Sequence, residues 1–413
     1  MTLLSTGQPT PGGSRNIWDT LNNDYVRDAT GYAPASNSAA GIQEAADAAE
    51  ADGQQVLMRG TDWTVDETVQ FRCHVDARGA TVTTENTAIG PVIIVGGGAD
   101  DSGLNTAWVY NREVHLPHVI QAGRTKGTGT WSGTDVGVAI VKLMASRVAV
   151  PYVDNFSTNL VVAGYGNAAS LHWGGTAYNT ITLGKLYDGK VALDVSAGHS
   201  LVGNAHGWAN ENLFIGGQFR TEDAAEGTAV SGARYIRLTR SASAYPVTNN
   251  LFLKPSVEND FPEYHVEFNQ AQYNQIVHGR YEPSNPGTTT INMYFSNALD
   301  NLIHGGYQAE DINDTAAGGT TNTGNLLITP RIIRPLAVTS PVEIDFVAGT
   351  VTFDESVSLY SQAADVLRTD DSFRIPAYPQ YIRIGEGYMW DSGTELRKKY
   401  GSAPASAADG TAV

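Results

Sequence analysis

Four glutamates stand at nearly equivalent places in the middle of this chain: Glu222, Glu258, Glu282 and Glu310. They follow an asparagine by 10, 8, 8 and 9 positions respectively, with a turn residue in between. If these positions align on stacked strands, Glu258 and Glu282 fall on neighbouring strands about 4.8 Å apart. Two carboxyl groups about 5 Å apart match the arrangement of a retaining glycoside hydrolase, in which one protonates the leaving group and the other attacks the sugar. The competing reading is structural: the glutamates flank surface turns, pair with Arg220 and Arg280, or take up cations from the medium. A repeating chain repeats its side chains for packing reasons, which favours the structural reading, so no residue is assigned a catalytic role.

Other residue types that carry chemistry are sparser. His278 and His304 occupy similar places just before glycines, yet no carboxylate or cysteine stands at ligand spacing from them, so no metal centre is expected. Gly96-Gly97-Gly98 lacks the lysine and the following helix of a phosphate loop and reads as a turn. The acidic loops at 100–103 and 310–314 could hold a structural cation such as calcium, although neither has EF-hand spacing, and no cofactor is otherwise implied. Trp131, Trp173 and Trp208 lie in Gly-, Ser- or Asn-rich contexts where a ring could stack on sugar or pack between strands. Together with Glu222 and Glu310 they are the candidate glycan contacts.

What positions these residues is a repeat. Asn159, Asn179, Asn212, Asn250, Asn274, Asn301 and Asn325 are each followed two positions on by an apolar residue (Val161, Ile181, Phe214, Phe252, Ile276, Ile303, Leu327). Five positions on comes glycine or proline (Gly164, Gly184, Gly217, Pro255, Gly279, Gly306, Pro330). The asparagines are 20, 33, 38, 24, 27 and 24 residues apart, the signature of a solenoid with loops of unequal length on one side. The apolar runs are short and rich in Val, Ile, Leu and Phe, too short for helical periodicity. Leucine-rich repeats would show a fixed leucine spacing, which is missing. Asparagine tolerates the left-handed backbone of a sharp corner, and its amide can hydrogen-bond along a stack of identical neighbours. The expectation is an all-β parallel β-helix with these asparagines at one corner.

The pattern resembles the right-handed parallel β-helices of the pectate-lyase-like kind. The run Ala40-Gly-Ile-Gln-Glu-Ala-Ala-Asp-Ala-Ala, followed by Gln55-Val-Leu-Met and the strand at Trp63, resembles the opening of viral tailspike and polysaccharide-lyase β-helices, without the Asp- and Gly-rich signature that often precedes it. Residues 39–51 read as an amphipathic helix with Ser38 as N-cap, Ile42, Ala45, Ala46 and Ala49 on one face and Gly53 beyond its end. Such a helix would cap the open first coil. The resemblance covers roughly residues 39–335.

Composition bounds the partners. The net charge of −17 comes from 43 acidic against 26 basic residues, with glycine at 44. An acidic, lysine-poor surface argues against nucleic acid or an anionic membrane as partner, and no run approaches a membrane span. The single cysteine, Cys73, excludes an internal disulfide. The first residues show neither a cationic segment nor a long apolar core, so no signal peptide is expected. Residues 1–38 read as a polar arm for attachment to a particle, 39–335 as capping helix and β-helix, 336–400 as a small β-rich region and 401–413 as a flexible tail.

These readings leave a virion surface protein, that is a tailspike, fibre or capsid appendage, made in the host cytoplasm and recognising a host glycan or glycoprotein. The alternative is a polysaccharide depolymerase, hydrolase or lyase, on the same scaffold, and a cellular adhesin ranks third. A homotrimer is expected, bound to other virion proteins.

Overall fold

The computed structural model describes residues 39–97 (without 59 and 61), 108–126, 131, 134–167, 172–197, 207–221, 230–240, 247–259, 261–282 and 291–308, together with short strands on either side. Those strands are 26–28, 314–315, 325–328, 332–335, 343–345, 350–352, 382–384, 387–391, 396–400 and 411–412. The chain winds into a parallel β-helix. Its coils begin at Gln55, His74, Glu113, Arg147, Thr180, Leu213, Leu251, Gln275, Leu302 and Leu326, numbered one to ten here, and each coil-opening strand pairs in parallel with the next.

Each coil turns through faces set by short strands. The first face has two strand segments in coils such as coil seven, Leu251–Leu253 and Ser256–Glu258, which run on as one strand in coils four to six, Arg147–Asp154, Thr180–Tyr187 and Leu213–Arg220. The second face stacks Val69–Phe71, Pro91–Gly96, Val136–Val141, Thr158–Asn167, Val191–Ala197, Val230–Arg240, Pro262–Asn269, Ile291–Ser296 and Asp314–Thr315, all in parallel. The third is short, with Val109–Tyr110, Leu143–Met144, Gly175–Ala177 and Trp208–Asn210 in one ladder and Val247–Thr248 beside Ala271–Gln272 in another.

The core follows from strand alternation. Val148, Ile181, Phe214, Phe252, Ile276 and Ile303 form one buried column, in which the Phe214 and Phe252 rings lie 4.5 Å apart and nearly parallel. Phe268 and Phe295 stack likewise at 4.9 Å behind the second face. Ala39–Asp52 is the one helix among the described residues, and it buries Ile42, Ala45, Ala46 and Ala49 against the first coil. Gln43 ties it down by accepting from the Gln70 N–H at 2.7 Å and donating to the Gln70 carbonyl at 3.1 Å. Within the polar arm, Val26–Asp28 pairs in parallel with Gln55–Leu57. Ser38, expected as N-cap, lies outside the described residues.

At the corner before each of coils five to ten sits a buried asparagine: Asn179, Asn212, Asn250, Asn274, Asn301 and Asn325. From Asn179 to Asn301, each backbone N–H donates to the Oδ1 of the asparagine one coil on, at 3.0–3.3 Å. Each Nδ2 donates to that same Oδ1 at 2.9–3.1 Å. The second Nδ2 hydrogen goes to a carbonyl oxygen of Leu143, Thr176, Ala209, Val247, Ala271 or Ala298, at 2.8–3.0 Å. An inner amide of the stack therefore uses both donors and both acceptor sites. Ser146 continues the column into coil four, its N–H donating to Asn179 Oδ1 at 3.0 Å.

Two expectations need correction here. Asn159 satisfies the local pattern but is not part of this column. Thr158 pairs with Val136 and Val191, so Asn159 lies on a second-face strand at a different corner, where its Oδ1 accepts from Phe156 N–H and its Nδ2 donates to the Tyr187 carbonyl. Nor do the ladder asparagines take the left-handed backbone. The residue before each corner does: Asn111, Ala145, Tyr178, Glu211, Asn249, Tyr273 and Asp300 have φ between 50° and 60°. The sharp bend there frees the next residue to turn its side chain inward. Glycine at the fifth position has a separate cause, close approach. At Gly306, with φ of 108°, a Cβ would meet the Gly279 carbonyl oxygen at 1.9 Å.

Beyond coil ten the pairing turns antiparallel. Ile332–Pro335 folds back antiparallel on Leu326–Ile328 and is followed by Glu343–Asp345 and Thr350–Thr352. Ile382–Ile384, Gly387–Asp391, Leu396–Tyr400 and Thr411–Ala412 form a separate antiparallel sheet, so the segment expected to be a free tail contributes a strand.

The ladder makes a stability prediction. Asn250→Ala orphans two donors of Asn212 and the Ala209 carbonyl and takes one of two donors from Asn274 Oδ1 in a buried site, and should cost about 2–4 kcal/mol. Gln275→Ala, one coil away and exposed, should stay within about 0.5 kcal/mol. Urea and thermal unfolding of the two variants against wild type measure the difference.

Candidate functional site

The outward side of the second strand segment of the first face gathers the polar residues that the sequence singled out. Ser256, Val257 and Glu258 are Cα partners of Arg280, Tyr281 and Glu282. The two glutamates thus stand one above the other on adjacent parallel strands, about 4.8 Å apart at the backbone. Strand alternation sends both outward, because Val257 and Tyr281 between their neighbours are fully buried.

Their surroundings are those of an ion-pair network. Arg280 donates to both carboxylates: Nη1 to Glu258 Oε1 at 3.4 Å and Nη2 to Glu282 Oε2. Glu258 Oε1 also accepts from Gln218 Nε2 at 3.0 Å and Ser256 Oγ at 3.2 Å, and its Oε2 lies 3.9 Å from Arg220 Nη1. Side-chain exposures are 16% for Glu258 and 30% for Glu282, so these carboxylates sit at the surface with a guanidinium between them. Glu222 and Glu310 lie outside the described residues.

Register extends the surface towards the first coils. Glu258 continues a column through Arg220, Tyr187, Asp154 and Ile120, and beside it runs Arg280, Ser256, Gln218, Lys185, Tyr152 and His118. Tyr152 OH donates to Asp154 Oδ2 at 3.0 Å, and Tyr187 OH to Gln218 Oε1 at 2.5 Å. Ring centroids of His118 and Tyr152 are 5.4 Å apart, and those of Tyr152 and Tyr187 6.0 Å. Lys126 Nζ reaches the buried Asp154 carboxylate at 2.5 Å. Tyr187 and Asp154 are buried, so the surface itself offers the His118 and Tyr152 rings, the Gln218 amide, the two glutamates and the cations at fixed strand spacing. Sequence reading found the glutamates but missed His118, Tyr152, Lys185 and Gln218, which share the sixth place after the corner; alternation resets between +4 and +6, so parity counted from the buried corner does not reveal them.

The tryptophans have different surroundings from one another. Trp131 donates from Nε1 to the Asp188 carbonyl at 3.1 Å and meets Phe261 edge-on at 5.2 Å, which makes it a packing residue. Trp208 meets Trp108 at 5.5 Å and lies so close on Gly175 that a Cβ there would fall 1.9 Å from its Nε1. Trp108 stacks in turn on Tyr110, which is exposed, so this cluster is a second aromatic surface, on the third face. Trp173 belongs to an antiparallel pairing with Gly166 on the second-face side, and its side chain lies outside the described residues. The Trp108–Trp208 cluster and the Glu258–Glu282 pair thus lie on different faces of the coil.

His278 and His304 are exposed, with ring centroids 6.1 Å apart. Among the described residues no cluster of three His, Cys, Asp or Glu side chains has the arrangement of a metal site. The acidic loop at 100–103 and most of the one at 310–314 lie outside the described residues. On the second face, Arg234 binds Glu263 at 2.9 Å and Glu267 at 2.6 Å and lies over the Tyr264 ring, whose hydroxyl is pushed up to about 12 chiefly by burial. The Tyr264 and Tyr294 rings stack at 4.1 Å. These partners saturate one another. No described helix is long and apolar enough to cross a membrane.

No protein family and no curated protein matches this chain. Similar solved structures include Geobacillus virus E2 ORF18, with a TM-score of 0.45 at 12% identity over 78% of this chain and 66% of that one. The Dettilon tailspike protein is similar at a TM-score of 0.36 and 10% identity, over 76% of this chain and 70% of that one. DFA-IIIase from Arthrobacter chlorophenolicus A6 is similar at a TM-score of 0.33 and 11% identity, over 75% of this chain and 94% of that one. The chain thus spans just under two thirds of the Geobacillus virus protein.

Proposed function

We propose that this chain is a virion surface protein, a tailspike, fibre or capsid appendage, that recognises a glycan or glycoprotein of the host surface and binds it without cutting. The observation that carries the reading is the outer surface of coils three to eight, where Tyr152, Gln218, Glu258 and Arg280 are held in strand register by a rigid solenoid. Sugars are recognised by ring faces and by preorganised polar groups that match their hydroxyls, and a fixed lattice of both loses little entropy on binding. The assignment to a particle rests on the resemblance of residues 40–71 and of the asparagine repeat to viral β-helices.

The enzyme reading has one observation in its favour, the stacked Glu258 and Glu282. Against it, Arg280 bonds both carboxylates, and Gln218 and Ser256 occupy Glu258 further. An acid–nucleophile pair needs one carboxyl free to give up a proton to the leaving group. Incubating the protein with host surface polysaccharide should therefore yield neither new reducing ends nor the ultraviolet absorbance of an unsaturated product. Glu258→Gln and Glu282→Gln should change stability by only a few tenths to about 1 kcal/mol. Steady release of oligosaccharide by wild type, lost in both variants, would establish the depolymerase instead.

Self-association is part of the proposal. The first strand segment of the first face turns Leu213, Ile215, Leu251, Leu253, Val277 and Leu302 outward, partly exposed over coils six to nine. A strip of that kind favours burial against further copies, and a threefold arrangement multiplies weak glycan contacts. Light scattering should give three times the 44.0 kDa chain mass. The pair Ile215→Asp and Leu253→Asp should lower it towards the single chain. A wild-type mass of 44.0 kDa across a wide salt range would contradict the trimer.

A further inference from the structure

Residues 122–126 follow the strand His118–Gln121 of coil three and lie against the corner of the next coil. There Asn155 Nδ2 donates to the carbonyl oxygens of Gln121 and Arg124, each at 3.0 Å. Arg124 Nη2 binds the buried Asp135 at 2.5 Å, and Trp131 Nε1 donates to the Asp188 carbonyl at 3.1 Å. The chain is thus pinned on both sides of Lys126, whose amine meets two buried carboxylates. Nζ lies 2.5 Å from Asp154 Oδ2 on coil four and 3.9 Å from Asp188 Oδ2 on coil five. Those aspartate side chains are 1% and 0% exposed, whereas the Lys126 side chain is 36% exposed.

An ion pair buried on its acidic side retains part of the cost of desolvating its charges. Asp154 shows that cost. Its Oδ2 accepts from Tyr152 OH at 3.0 Å, but its Oδ1 has no hydrogen-bond partner among the described residues. An amide between the Lys126 and Asp154 side chains carries no charge and relieves the site of that cost. The geometry for making one is in place. With Nζ at hydrogen-bond distance from Oδ2, the carboxyl carbon one bond further on is within van der Waals reach, and the pinned backbone keeps it there.

We propose that Lys126 and Asp154 join in an isopeptide bond, a self-formed covalent cross-link between the loop after coil three and the corner of coil four. Asp188 takes a proton from the Lys126 ammonium, and the freed lone pair attacks Asp154 Cγ. Tyr152 OH bonds the oxygen that gains charge as the C–N bond forms. One Asp154 oxygen then leaves as water. Of the three ammonium protons, one stays on the amide nitrogen and two depart in that water, carried by Asp188, which ends as it began. No oxidant or further reactant is consumed, and the exposed side of Lys126 gives the water a way out. The cross-link is independent of glycan recognition and fastens two successive coils to each other.

Mass spectrometry of the full chain in denaturant tests the bond. Wild type should weigh one water less than its sequence requires. Its digest should contain a branched peptide holding Lys126 and Asp154, with no tryptic cleavage after Lys126. Lys126→Arg keeps the cation but offers no reactive amine, so it should show the full mass of its sequence. Asp188→Asn should form the branched peptide about a hundredfold more slowly. Wild type at full mass after long incubation at neutral pH, with Lys126 open to trypsin, would overturn the proposal. So would a missing water in Lys126→Arg. A missing water that mild hydroxylamine treatment abolishes would assign it to a cyclic imide, as at Asp188-Gly189, and overturn the bond as well. Branching of Asp188→Asn at the wild-type rate would overturn the role given to Asp188.

Discussion

A side-chain amide buried at a chain corner is costly unless all its hydrogen-bonding capacity is used, and the stack from Asn179 to Asn325 meets that condition by repetition. Each inner amide is complete only when the next coil is present and in register. A slip of one residue would bring an outward side chain such as Leu251 or Gln275 to the corner and break two bonds per coil. The ladder therefore fixes which residue stands above which over the whole outer surface. Alignment of Glu258 with Glu282, and of Gln218 with Ser256 and Arg280, follows from it.

That register has electrostatic consequences. Two carboxylates on adjacent parallel strands repel, and the surface answers with Arg280 between them and Arg220 beside Glu258. At the exposures seen there, each pair contributes modestly to stability. The network's larger effect is to hold long side chains in a single geometry. On the second face the same spacing stacks Arg234 on Tyr264 and Tyr264 on Tyr294, and joins Arg237 to a buried Asp194 at 2.5 Å. Parallel stacking thus yields either matched pairs or rows of like groups, and the rows mark surfaces that gain from a partner.

Much of the fold was legible because the corner asparagine and the apolar residue two positions on serve one physical task in coil after coil. Asn159 shows where such reading fails. Its neighbours Val161 and Gly164 fit the pattern, but Val161 points out of the solenoid into a small cluster with Val136, Ala139, Val141 and Ala163. A local motif does not say which face it lies on. Ser146 does the ladder's work without being asparagine, since a backbone N–H can still donate to Asn179. The left-handed residues before the corner were hidden because seven coils use Asn, Ala, Tyr, Glu, Asn, Tyr and Asp there. The glutamate pair was legible by counting from the asparagine.

The outer surface depends on coil-to-coil register, and engineered disulfides read register directly. Ala149 is the Cα partner of Thr182, and Arg147 is displaced from Thr182 by two residues along the neighbouring strand. Partners about 4.8 Å apart are within disulfide reach, whereas the displaced pair, roughly 8 Å apart, is beyond it. The native Cys73 does not compete, being buried with its thiol pushed up to about 11 by that burial. Mild oxidation should cross-link Ala149→Cys/Thr182→Cys rapidly within one chain and leave Arg147→Cys/Thr182→Cys reduced. Preferential closure of the displaced pair, or failure of both, would contradict the ladder and the surface built on it.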